Sequence, residues 1–243
     1  MPSISQYYNQ YIGKRCFILG NGPSLNAVNF AALKNEYSFG VNSIFLMTRQ
    51  NRFSPTFYVV EDNLVFSENK NEIDQYTGVI KILPRVYSSE LDNKLDIIEF
   101  EMNTSFYNKS KLELYGSPQF NTGSEPVFFC GQSVTYINMQ IAYYMGFKYV
   151  YLLGMDFSYS KPSNHEQNGN HIRSGGNDPN HFHKDYFGKG KTWKDPQLGR
   201  VQRSYLRAKF EFEADNRIIM NATQGGELEL FDRIDENILW GSK

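Results

Sequence analysis

The run His181-Phe182-His183-Lys184-Asp185 falls in a stretch that holds all four histidines of the 243-residue chain, His165, His171, His181 and His183. In an extended segment this alternation puts two imidazoles and a carboxylate on one side. Two chemistries fit such a set. A histidine near its ordinary pKa of about 6.5 can take a proton from an acceptor hydroxyl, with Asp178 or Asp185 orienting the ring. Alternatively, His-x-His with carboxylates can hold a divalent metal. The base is the preferred reading, because the other polar clusters of the chain contain no Asp-x-Asp pair. His165 and His171 carry no assigned role.

A second cluster is Gly20-Asn21-Gly22-Pro23-Ser24-Leu25. It lacks the third glycine of the dinucleotide fingerprint and the Gly-Lys-Ser/Thr ending of a P-loop, so neither NAD binding nor Walker-type ATP hydrolysis is supported. Glycines beside a helix start still let a phosphate approach backbone N–H groups, with Pro23 setting the first turn and Ser24 adding a hydroxyl. Tyr159, Tyr186, Lys189, Lys191 and Arg200 can donate hydrogen bonds to a leaving phosphate.

The elements that must position these residues are legible as apolar runs. Arg15–Leu19 is apolar on both faces, which suits a central parallel strand. Similar strands are expected at Tyr37–Val41, Thr56–Val60, Val79–Leu83, Tyr149–Leu153 and Arg217–Met220. Between them, Gln132–Met145 has helical spacing (Val134, Ile137, Ile141, Tyr144) closed by Gly146, and Leu198–Ala214 reads as a helix with a basic face. The alternation predicts an α/β, Rossmann-like fold with a mostly parallel sheet flanked by helices. Ligands then bind at the carboxyl ends of the strands, where Gly20-Asn21-Gly22, Asn42, Glu61-Asp62 and Gly154-Met155-Asp156 each follow an apolar run. The chain is expected to form a single domain over 1–243, in which 158–200 is a long functional insertion, a lid or active-site loop.

Composition narrows the function classes. Hydrophobic residues make up 40% and aromatics 16%, enough apolar surface to exclude a disordered chain. A formal charge of −1 gives no general attraction to a nucleic acid. Cys16 and Cys130 lie in apolar runs and read as buried free thiols of a reducing compartment. Met1 to Asn9 is polar and no apolar run reaches the roughly 18 residues of a membrane span. The expectation is a cytoplasmic protein with at most peripheral membrane contact; oligomerisation is left open.

The order of these motifs carries a family resemblance. Gly20-Asn21-Gly22-Pro23-Ser24-Leu25 after the first strand, Asn42 after the second, Gly154-Met155-Asp156-Phe157, and an Asn-Asp-x-x-His-aromatic loop before a long helix are similar to bacterial sialyltransferases of glycosyltransferase family 42. The chain resembles more closely the related MptE-like family, with its motility accessory factors, through Asn221-Ala222-Thr223-x-Gly225-Gly226. The resemblance implies a domain that binds a CMP-activated acidic sugar (sialic acid, a nonulosonate or Kdo) and transfers it to a glycan or glycolipid acceptor, with a histidine base and no metal or other cofactor. Gly20, Asn21, Gly22, Ser24, Asn42, Asp62, Gly131, Gln132, Ser133 and Asp156 would bind the nucleotide. Tyr159, Tyr186 and Lys189 would support the departing phosphate. The sialyltransferase base sits in a His-Tyr-x-x-His pattern, absent here, which leaves His181, His183 and Asp185 as candidates. Glu61-Asp62 replaces an Asn after the third strand. Two alternatives stand beside this reading: an Mg-dependent 6-hydroxymethylpterin diphosphokinase using Asp62, Asp156 and Asp178, and a non-catalytic nucleotide- or glycan-binding module.

Overall fold

The computed structural model describes residues 1–111 and 113–241. Its strands are β1 (Arg15–Leu19), β2 (Ser38–Val41), β3 (Phe57–Val59), β4 (Ile80–Pro84), β5 (Ile97–Asn103), β6 (Val127–Phe129), β7 (Tyr149–Leu153), β8 (Glu166–Asn168), β9 (His171–Arg173), β10 (Thr192–Lys194) and β11 (Ile218–Asn221). Eight of them form one parallel sheet in the order β11-β7-β1-β2-β3-β4-β5-β6. The α-helices are α1 (Phe30–Leu33), α2 (Phe45–Asn51), α3 (Asn63–Glu68), α4 (Lys70–Gln75), α5 (Arg85–Ser88), α6 (Val134–Tyr144), α7 (Leu198–Ala214) and α8 (Glu236–Leu239). This is the expected Rossmann-like α/β arrangement.

Strand β1 shows why the sheet is covered on both sides. Cys16 and Ile18 enter an apolar layer shared with α6 and α7, whereas Phe17 and Leu19 enter the layer shared with α1 to α5. A strand apolar at successive positions has no face to give to water. Helix α6 is buried almost throughout; Ser133 caps its start by accepting from Thr135 N, and Gly146, at φ +91°, turns the chain back toward β7. Helix α7 buries Val201, Ser204, Tyr205, Ala208 and Phe212, one stripe at three- and four-residue spacing.

Two strands of the large sheet escaped the sequence reading. Strand β5 interrupts its apolar residues with Glu99 and Glu101, and β6 has only three residues, so neither gives a run long enough to stand out. The segment 158–200, expected to lack periodic structure, carries a three-stranded antiparallel sheet in the order β10-β9-β8. Its strands are three residues each and mostly exposed, too short to leave a period.

The topology fixes where a ligand can sit. Strand β1 leads on toward β2, but the adjacent β7 leads to β11 on its other side. The connections diverge, and a crevice is left at the carboxyl ends of β1 and β7.

Candidate active site

The two turns that flank this crevice interlock. Gly22 N donates to Gly154 O at 3.0 Å, and a Cβ on Gly20 would run into the Gly154 carbonyl. A side chain on Gly22 would occupy the space of the Asp156 carboxylate, which accepts from Ser24 Oγ at 2.6 Å and Ser24 N at 3.2 Å. Both Ser24 donors are therefore spent on Asp156, and a protein carboxylate stands at the helix start where a ligand phosphate was expected. Gly226 is small for the same reason, since its Cβ would meet the Asp156 backbone.

Beyond this turn lies a chamber of 150 Å³ lined by Gly20, Asn21, Gly22, Asn42, Gln132, Ser133, Asp156, Tyr159, His181 and Tyr186, among others. Three carboxamides give it its character. Asn21 Nδ2 donates to Val41 O at 3.0 Å and to Tyr186 Oη at 2.8 Å, but Asn21 Oδ1, Asn42 Oδ1 and Gln132 Oε1 are buried without a partner among the described residues. Asn42 and Gln132 are also held at positive φ, 50° and 71°, a conformation that costs a non-glycine residue. An unpaired buried acceptor costs about 1–3 kcal/mol, so a polar ligand offering N–H or O–H groups would be favoured at these oxygens.

His181 lies where this chamber meets a larger one. Its Nδ1 is 2.7 Å from Asp178 Oδ2, and both side chains are nearly inaccessible, at 8% and 3%. Its ring lies flat on Tyr186, with centroids 4.0 Å apart and planes within 1°. Tyr159 and Phe187 meet its ring at steep angles. Burial works against ionisation of Asp178, but the hydrogen bond and charge of His181, with the N–H groups of Asn180 and Phe187, outweigh it and hold the carboxyl below its ordinary value. An ionised Asp178 only accepts, so Nδ1 carries the proton and Nε2 is the basic nitrogen.

The backbone corrects one expectation about this loop. Residues 181–187 form bends and turns rather than an extended strand, so the alternation does not align His181, His183 and Asp185. His183 and Asp185 are partly to largely exposed, 4.0 Å from one another, and line neither chamber. Lys189 is exposed and also absent from both walls. Lys191 turns back to donate to Tyr186 O. Gly131 is set back behind the wall, where a side chain would collide with the Tyr136 ring. Tyr186 is buried, its hydroxyl accepting from Asn21 and its ring carrying His181.

The larger chamber, 460 Å³, shares Asn42, Gln132, Ser133, Tyr159, His181 and Tyr186 with the first and adds Glu61, Asp62, Tyr87, Tyr107, Lys194, Asp195 and Arg200. Asp62 caps α3 by accepting from Leu64 N and Val65 N, and its other oxygen pairs with Lys194 at 2.8 Å. The neighbouring Glu61 is buried. Burial first, and Asp62 beside it, push its carboxyl above the usual range against the opposing hydrogen bonds of Cys130 and Tyr107. Tyr87, Tyr107 and Lys194 were missed from the sequence: Tyr107 follows β5, whose apolar run is interrupted by Glu99 and Glu101, and Lys194 sits in an aperiodic segment.

A magnesium site built on Asp62, Asp156 and Asp178 does not fit this arrangement. The three carboxylates are committed to Lys194, Ser24 and His181 respectively. Among the described residues no group of three or more His, Cys, Asp or Glu side chains is gathered to hold a metal ion. Nor, among them, is any helix long and apolar enough to cross a membrane.

A parallel sheet with a switch-point crevice, glycine turns and unpaired carboxamides defines a Rossmann-like protein with a polar rim at the carboxyl ends of its strands. The model of one family, described as 6-hydroxymethylpterin diphosphokinase MptE-like, matches residues 2–162, and the chain belongs to that family. Among solved structures, the MAf glycosyltransferase from Magnetospirillum magneticum AMB-1 shares the fold at a TM-score of 0.55 and 14% identity, over 97% of this chain. This chain spans 38% of that protein's length. The sialyltransferase CstII from Campylobacter jejuni, solved with the substrate analogue CMP-3FNeuAc, aligns at a TM-score of 0.39 and 13% identity, over 91% of this chain and 86% of that one. Curated protein sequences give no match.

Proposed function

We propose that this protein is a glycosyltransferase that uses a CMP-activated acidic sugar, of the sialic acid, nonulosonate or Kdo type, with His181 as general base. The observation that carries the reading is the His181–Asp178 pair, 2.7 Å apart and nearly sealed from solvent, at the junction of the two chambers. The motif order and the fold shared with a glycosyltransferase support the same class.

In this reading the smaller chamber holds the nucleotide and the larger one the sugar and the incoming hydroxyl. Nε2 of His181 removes the acceptor proton as the acceptor oxygen attacks the anomeric carbon. The bond from that carbon to the phosphate oxygen breaks, and CMP leaves with the electron pair. Asp178, held ionised, stabilises the imidazolium that forms. The Tyr159 hydroxyl and the N-terminal end of α6 at Ser133 face the charge that develops on the phosphate. No step requires a metal. Glycans or glycolipids are the acceptors the reading implies.

The family description raises a second reading, pyrophosphate transfer from ATP to a hydroxymethylpterin. That chemistry draws on magnesium, and the carboxylates available for it are already committed. A thermal-shift panel of CMP, CDP, UDP, GDP and ATP, with Mg²⁺ or with EDTA, separates the two, because a ligand that binds only the native state raises Tm. The transferase reading expects a CMP response that survives EDTA. A response to ATP alone, dependent on Mg²⁺, overturns it. Turnover unchanged in both His181→Ala and His183→Ala, with nucleotide binding intact, shows that the loop is not catalytic; nucleotide binding by a wild type that turns over no CMP-sugar favours the non-catalytic module.

A further inference from the structure

Arg200 is built into the larger chamber in an unusual way. It lies in the first turn of α7, the positive end of the helix dipole, where a cation is unfavourable. Its guanidinium lies over the rings of Phe106 and Tyr115, 4.5 and 4.9 Å from their centroids. Its terminal nitrogens donate only to neutral oxygens, Gln197 Oε1 and Phe106 O, both at 3.3 Å. Nε is buried with no partner among the described residues.

The other charges on this wall are accounted for. Lys194 is paired with Asp62 at 2.8 Å, Asp195 lies 4.0 Å from Lys161, and Glu61 is packed among Tyr87, Tyr107 and Cys130. Arg200 is left as a rigid, half-buried cation facing the chamber with no counter-charge among the described residues. A guanidinium kept in this state matches the planar geometry of an oxyanion. It lines the larger chamber but not the smaller one, which separates it from Gly20, Asn21 and Gly22, whereas Asn42 and Gln132 border both chambers.

We propose that Arg200 is the specificity-determining residue for a carboxylate on the transferred sugar, and so the reason the larger chamber takes an acidic sugar over a neutral one. This rests on the glycosyltransferase reading above. The contact would be made in the ground state, so Arg200 governs donor affinity and KM more than kcat.

The test is calorimetric titration of the whole chain with CMP, CMP-sialic acid, CMP-Kdo and the methyl ester of CMP-sialic acid. Wild type, Arg200→Met and Arg200→Lys are compared. Methionine retains the apolar stem beside Phe106 and Tyr115, and the Tm of the ligand-free variants reports on folding. The expected result is that wild type binds at least one of the acidic donors about tenfold or more tighter than CMP, and the ester more weakly than its acid, the scale of one charge-assisted contact. Arg200→Met should abolish that advantage and leave CMP affinity unchanged, with Arg200→Lys restoring part of it. Wild-type preference retained in Arg200→Met overturns the assignment of Arg200 while the CMP reading stands. An equal loss for CMP and for the donors also overturns it, by assigning Arg200 to the phosphate. Acidic donors no tighter than CMP in wild type refute the carboxylate site itself, and a wild type silent to CMP removes the transferase reading as well.

Discussion

Replacing Asp178 by Asn tests the proposed base through two independent readouts. The carboxylate accepts from His181 Nδ1 at 2.7 Å and Phe187 N at 2.9 Å on one oxygen, and from Asn180 N at 2.8 Å on the other. An amide cannot serve all three. With its NH₂ on the first side it faces the Phe187 N–H and drives the imidazole proton to Nε2; on the second side it faces the Asn180 N–H. Either way a buried N–H loses its partner, a cost of about 1–3 kcal/mol in unfolding free energy. Turnover of a CMP-sugar donor should fall roughly 10²- to 10⁴-fold, the range for losing a general base or its orienting partner. The pH dependence has a fixed sign. The folded pKa of Asp178 lies below its unfolded value of about 3.9, so its contribution is full above that value and is lost as pH falls through the folded pKa. Urea titrations should therefore show the gap between wild type and Asp178→Asn to shrink as pH falls below about 4. A variant with wild-type turnover, or a stability gap as large at pH 3 as at pH 7, would refute the reasoning.

The remaining predictions follow from the same geometry. His183→Ala and Asp185→Asn, outside both chambers, should keep turnover within about twofold of wild type while His181→Ala loses about 10²-fold or more; steady-state rates on the three variants decide, and comparable losses would return the base to the exposed pair. Gly22→Ala should cost about 1–3 kcal/mol by driving a methyl into the Asp156 carboxylate, read as a fall in the urea midpoint. Glu61 has a folded pKa above its unfolded one, so its ionisation penalises folding increasingly as pH rises from about 4 toward 7. Glu61→Gln should gain stability relative to wild type over that interval, and a relative loss would contradict a carboxyl whose ionisation is opposed by burial.

How far the sequence reached depends on the length scale of each feature. Arg15–Leu19 and Tyr149–Leu153 are read at the bounds the structure gives them, because a central strand is apolar on both faces and ends on glycine. The helix Leu198–Ala214 is legible for the matching reason at its own period. Strand β6, with three residues, and the exposed pairs in 158–200 leave no such trace. At the site, the rim residues were legible because the parallel topology collects strand ends, whichever strands they follow. The orientation of the histidines was not. His181 and Tyr186 stack across a turn, five positions apart, a spacing with no meaning in a strand or a helix.

The same comparison explains why the charge of the chamber had to wait for the structure. In sequence, Glu61-Asp62 adds two negative charges beside an anionic donor and argues against it. In the fold, Asp62 is spent on a helix cap and Lys194, a partner 132 positions away, while burial raises the pKa of Glu61. Arg200 is then the charge on that wall left without a counter-charge among the described residues. The sign of a binding site is set by the charges left unpaired after folding, and pairing between distant segments is what a local reading of residues cannot see.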